Sequence, residues 1–73
     1  MLKKSVVIAG RHETSISLEK EFFEELNLIC REKKLSINQL VTQIDAERET
    51  ENLSSAIRVY ILKQLKEKTA LWI

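Results

Sequence analysis

One stretch of seven residues limits what this chain can fold into. His12-Glu13-Thr14-Ser15-Ile16-Ser17-Leu18 alternates polar with apolar or β-branched side chains, the period of a strand, whereas the residues beyond Leu18 repeat at the three- and four-residue steps of a helix. A lone strand exposes unpaired N–H and C=O groups along both edges, and even a two-stranded hairpin is marginal in water. The expected fold is therefore mostly α with one ribbon strand, paired antiparallel with the same strand of a second copy. A hairpin within the chain is the other option: Ser5 to Ala9 is β-prone, and Gly10 with Arg11 could form a two-residue turn. The stronger alternation of the later stretch favours an extended arm or short strand over residues 1–11, flanking a shared ribbon over 12–18.

Alternation also assigns the faces. Ile16 and Leu18 share one with Thr14 and His12, while Arg11, Glu13, Ser15 and Ser17 share the other. The apolar face turns inward. The outward face then presents short polar side chains in a row, suited to probing base edges in a major groove wide enough for a two-stranded ribbon.

A chain of 73 residues makes one domain, and domains of this size bury only about 60% of their unfolded surface, so oligomerisation is an expected source of stability. Cys30 is the one cysteine and His12 the one histidine, which excludes an intrachain disulfide and any Cys/His zinc spacing. No metal or cofactor is expected. Cys30 falls on an apolar helix stripe, as a buried structural thiol does, and suits a reducing cytoplasm. The net charge is +1, with basic ends and an acidic middle; residues 1–12 contain Lys3, Lys4 and Arg11 without any acid. Such a basic arm fits phosphate attraction. No segment approaches the ~20 apolar residues of a membrane span, and the apolar run after Lys3 and Lys4 is too short for a signal peptide. The expectation is a cytoplasmic protein without membrane contact.

Three helices are expected after the ribbon. Residues 19–34 place Phe22, Phe23, Leu26, Ile29 and Cys30 on one apolar face, with Ser17 or Glu19 near its start. Ser36 followed by Gln39 is a capping box that opens a second helix over 36–46, with Leu40, Val41 and Ile44 toward the core. Its first-turn N–H groups, with Ser36 and Asn38, form a candidate anion site. Glu47 to Glu51 reads as a polar connection or a frayed continuation of that helix. The third helix, 53–68, has Leu53, Ile57, Tyr60, Ile61 and Leu65 as its main stripe, with Val59 and Leu62 outside it, a pattern that implies packing against more than one surface. Residues 69–73 form an apolar tail, whose Leu71, Trp72 and Ile73 are candidates to dock on a dimer or hold a partner protein.

Strand, helix and capped helix in this order resemble the ribbon-helix-helix (Arc/MetJ-like) DNA-binding family. The likeness rests on Thr14-Ser15-Ile16-Ser17-Leu18-Glu19, on Phe22-Phe23-Glu24-Glu25-Leu26 and on Leu35-Ser36-Ile37-Asn38-Gln39-Leu40-Val41. The lead-in before Gly10, Gln43-Ile44-Asp45-Ala46 and the segment from Asn52 to Arg58 look closer still to a bacterial subgroup with an added third helix. The resemblance implies an intertwined homodimer whose paired strands enter the major groove. Carried to this chain, Glu13, Ser15 and Ser17 would contact bases, and Ser36, Ile37 and Asn38 would clamp phosphate alongside Lys3, Lys4 and Arg11. Ile16, Leu18, Phe22, Phe23, Leu26, Ile29, Leu40, Val41 and Ile44 would fill the dimer core. One departure is visible: relatives commonly carry arginine or lysine on the ribbon face, where this chain has an acid and two serines.

The function expected is thus a small dimeric regulator, a repressor-like protein that binds double-stranded DNA at a two-fold symmetric site. The competing class is a protein-interaction module, either an antitoxin-like subunit or a dimerisation domain, with weak or no DNA binding. An enzyme is not expected, because one histidine on a strand, one thiol on an apolar face and solvated carboxylates do not assemble a catalytic pocket.

Overall fold

The computed structural model describes residues 1–69. Two strands lead, β1 (Leu2–Ile8) and β2 (His12–Leu18), followed by three helices, α1 (Lys20–Lys33), α2 (Ile37–Glu47) and α3 (Leu53–Lys68). The strands form an antiparallel hairpin whose register runs from Leu2 opposite Leu18 to Ile8 opposite His12.

Of the two forms expected for residues 1–11, the extended arm gives way to a strand, β1, which pairs with β2 along its whole length within one chain. The turn differs too. Ala9 and Gly10, with φ of 53° and 71°, are its central residues, and the Arg11 N–H donates to the Ile8 carbonyl at 3.1 Å. Positive φ at both centres is what a type I′ hairpin turn requires, and its twist matches that of the strands. Sequence reasoning places the turn one residue later because alanine is a poor advertisement for the left-handed region.

On the inward face of the hairpin, Val6, Ile16 and Leu18 are almost wholly buried, and Ile8 is half-buried. His12 and Thr14, assigned to the same face, are exposed toward the turn end. Beneath the hairpin the helices supply Phe23, Leu26, Ile29 and Cys30 from α1, Leu40, Val41 and Ile44 from α2, and Ala56, Ile57 and Ile61 from α3. The residues expected to fill a dimer core therefore pack into a core within one chain, with Phe22 half-buried at its margin.

Helix boundaries follow local chemistry. Lys34 takes a left-handed φ of 56°, and the Leu35 N–H returns to the Cys30 carbonyl at 3.0 Å, which ends α1. The Ser36 and Gln39 side chains each accept from the other residue's backbone N–H, at 3.1 and 2.8 Å, so the capping box starts α2. Asn52 caps α3 by accepting from the Ser55 N–H. Leu65, placed on the main stripe of α3, is 38% exposed. Each four-residue step turns a helix about 40° past a full circle, and two such steps carry Leu65 away from Ile57. Among the described residues no helix is long and apolar enough to cross a membrane.

Candidate nucleic-acid interface

The outward face of the hairpin is built from odd-numbered residues. On β2 it presents Glu13, Ser15 and Ser17, and the register sets Val7, Ser5 and Lys3 directly across from them on β1. Glu13, Ser15, Ser5 and Lys3 are exposed, whereas Val7 and Ser17 are half-buried. The three residues selected by alternation thus share one face. Pairing within the chain adds Ser5 and Lys3, which alternation alone leaves on an arm.

The phosphate candidates are scattered. Lys3 joins the outward face, Lys4 falls on the opposite face across from Ile16, and Arg11 is exposed in the turn. Ser36, Ile37 and Asn38 sit at the start of α2, where four backbone N–H groups lack helical partners. There the Ser36 hydroxyl oxygen is engaged by Gln39 N–H, and Asn38 Oδ1 accepts the Val7 N–H at 3.1 Å. Asn38 therefore joins α2 to β1, and its NH₂ group is what it has left to offer an anion.

One turn further, Thr42 Oγ1 accepts the Ala9 N–H at 3.0 Å and donates to the Asn38 carbonyl at 2.7 Å. Two polar side chains four residues apart on α2 thus cover part of the outer edge of β1. An open hollow of about 480 Å³ lies beside them, lined in part by Val7, Gly10, Leu35 and Gln43.

At the other edge α3 plays the corresponding part. The Ser17 N–H donates to Ser54 Oγ at 3.1 Å, and Arg58 Nη2 donates to the Ser17 carbonyl at 3.3 Å. Arg58 Nε also pairs with Glu19 Oε1 at 3.0 Å, and its guanidinium lies 5.8 Å from the centre of the Phe22 ring. The Glu19 carboxyl is held below the usual carboxylate range, chiefly by its own backbone N–H and next by Arg58. Because Val7 and Ser17 both direct their N–H groups away from the hairpin, alternation directs those of Glu13 and Ser15 outward as well. Among the described residues no hydrogen bond holds the Glu13 or Ser15 N–H, although an open hollow at Ser15 is walled by Arg48, Glu51 and Asn52.

Neither edge-covering pair stands out in the sequence. Asn38 and Ser54 read as helix-start residues, and only the register of the hairpin shows which strand amides they face. Chemically, the site offers a ribbon with exposed hydroxyls and one carboxylate on its face, lysine at one margin and arginine at the turn. Hydroxyls bond either donors or acceptors on base edges, and a carboxylate accepts from cytosine N4. Leu71, Trp72 and Ile73, the candidates for a docking tail, lie outside the described residues.

A family model described as a ribbon-helix-helix domain matches residues 1–65. No curated protein and no solved structure matches significantly.

Proposed function

We propose a function from one premise: the chain belongs to the ribbon-helix-helix domain family. Members serve generally as DNA-binding transcription regulators or as antitoxins. This protein is best read as a small dimeric, non-catalytic transcriptional regulator of the cytoplasm, whose ribbon enters the major groove of a two-fold symmetric site. The observation that carries the reading is the exposed outward face of the hairpin, with Glu13 and Ser15 beside Ser17 and with Lys3 and Ser5 across from them. A second copy would pair its own β2 with the N–H groups of Glu13 and Ser15, which no hydrogen bond holds within the chain. That pairing sets two such faces side by side about a two-fold axis and carries each Lys3 toward a phosphate wall. Backbone contacts would then position the protein, and the serines would read bases.

The test is a fluorescence-anisotropy titration against randomised duplex DNA at two salt concentrations, with the mass in solution measured alongside. Salt-sensitive binding by a dimer is expected, followed by enrichment of a symmetric site from the pool. Ser15→Ala should change the preferred sequence, whereas Lys3→Ala should weaken all sequences alike and lower the salt slope. A protein that binds no duplex at low salt would overturn the reading.

The second reading, an antitoxin-like or other protein-binding module, has its own observation. Val59, Leu62 and Leu65 leave 46%, 52% and 38% of their surface exposed on α3, as a helix does when it has a further surface to cover. Capture of a partner that is lost on Leu62→Glu, without any DNA binding, would favour it.

A further inference from the structure

The outer edge of β2 is not equally open along its length. At Glu13 and Ser15 no hydrogen bond engages the strand N–H groups, but at Ser17 both backbone groups are held by α3, the N–H by Ser54 Oγ at 3.1 Å and the carbonyl by Arg58 Nη2 at 3.3 Å. Ser54 and Arg58 stand four residues apart and so lie on one helix face. Arg58 has a second anchor, with Nε on Glu19 Oε1 at 3.0 Å, and its plane lies near the Phe22 ring. One guanidinium therefore ties the last outward residue of β2, the residue preceding α1 and the body of α3 together. Only a planar fork with several fixed donors does this; an ammonium is a single point of charge.

From this geometry we infer that Arg58, assisted by Ser54, is a positioning residue for sequence readout: it fixes the backbone of Ser17 and so aims the Ser17 hydroxyl at one base pair. The inference rests on the regulator reading. With both backbone groups held, Ser17 is offered in one orientation, and an incoming strand finds its ladder closed beyond Ser15. A strand shifted along that edge by two residues would keep the same faces outward but would need the groups that α3 already holds. The helix thus also limits the register in which two copies pair, although it lies outside the strand and the first two helices.

The experiment is a site selection from randomised duplex DNA with the full chain and its Arg58→Lys, Ser54→Ala and Ser17→Ala variants, together with amide hydrogen exchange on the free proteins. Ser17→Ala identifies the base pair that Ser17 reads. Arg58→Lys and Ser54→Ala are expected to lose discrimination at that same pair by roughly tenfold, within the range of one good base contact, with an unchanged salt slope. In the free proteins, exchange should quicken at the Ser17 amide in Ser54→Ala, and Ser54→Thr should restore both protection and discrimination. A loss spread evenly over all positions, or discrimination unaltered in a folded variant, overturns the inference. The two readings fail separately. A Ser17 amide that is protected in a protein without sequence preference sinks the regulator reading and leaves α3 a structural edge cover, whereas an unprotected Ser17 amide sinks the positioning role itself.

Discussion

Val7 and Asn38 are joined across 31 residues of chain, the strand N–H donating to the helix amide oxygen at 3.1 Å. With the parallel bond from Ala9 N–H to Thr42 Oγ1, this closes part of an edge that a two-stranded sheet would otherwise leave to solvent or to another chain. The hairpin is thereby fastened to α2 by polar contacts at its edge as well as by Val6 and Ile16 in its core.

Removing the Asn38 carbonyl should therefore loosen β1 before it affects anything else. Asn38→Leu is expected to cost about 0.5–1.5 kcal/mol, the net worth of an exposed hydrogen bond, and to speed amide exchange at Val7. Thr42→Val should do the same at Ala9. Unchanged exchange at both positions would mean that packing alone, and not these bonds, holds β1 against α2. The two effects should be nearly additive only if the bonds break independently, which the double variant reads directly.

The turn offers a gain instead of a loss. Ala9 occupies the left-handed region at φ 53° ahead of Gly10 at 71°, a conformation that costs a non-glycine residue about 1–2 kcal/mol. Asparagine tolerates it better, and Asn-Gly is the favoured pair for such turns. Ala9→Asn should raise stability by about 0.5–1 kcal/mol, a rise in Tm of roughly 3–6 °C for a chain of this length. A fall in Tm would contradict the positive φ at this position.

Periodicity makes the helices and most of the core legible in the sequence. Phe23, Leu26, Ile29 and Cys30 recur at steps only a helix satisfies, and Ser36 with Gln39 announces its own hydrogen bonds. The pairing of β1 is legible only as the less favoured option, because Lys4 on the inward face and Val7 on the outward one blur its alternation, and the turn depends on an alanine. The outward set Glu13, Ser15 and Ser17 follows from parity alone. Its neighbours Lys3 and Ser5, and the anchors Asn38, Thr42, Ser54 and Arg58, need the register, which no local pattern contains.

Within α3, burial separates Ile57, on the main apolar stripe, from Leu62, outside it. Ile57 is fully buried and Leu62 is 52% exposed. Ile57→Ala should cost about 2–5 kcal/mol, a large share of the total stability of so small a domain, whereas Leu62→Ala should stay within about 0.5 kcal/mol. Chemical denaturation of the two variants checks this. A larger effect of Leu62→Ala, together with a change in mass, would place that side chain in an interface between copies.

Cys30 is 6% exposed, and burial raises its thiol pKa above the ordinary value. The thiolate is the reactive form, so both access and ionisation oppose modification in the native state. Alkylation at mildly alkaline pH should be at least about a hundredfold slower in buffer than in denaturant, with opening of the fold as the limiting step. Equal rates would show that the α1 face around Ile29 and Cys30 opens freely.

Glu19 gives the fold an acid-side dependence on pH. Its carboxyl is lowered below the usual range by its own backbone N–H and then by Arg58, so the folded state binds the proton less readily than the unfolded chain. A depressed carboxylate contributes stability that is present above its unfolded pKa and is lost as pH falls through the folded value. The contribution should therefore be complete at neutral pH and should disappear as the solution is taken below the usual carboxylate range. Glu19→Gln removes the titrating group but keeps an oxygen for Arg58. Denaturant midpoints measured from neutral to acid pH should converge for the two proteins at the acid end, with the wild type more stable at neutral pH. If the two curves instead run parallel over the whole range, the Glu19 and Arg58 pair does not couple the α1–α3 junction to protonation.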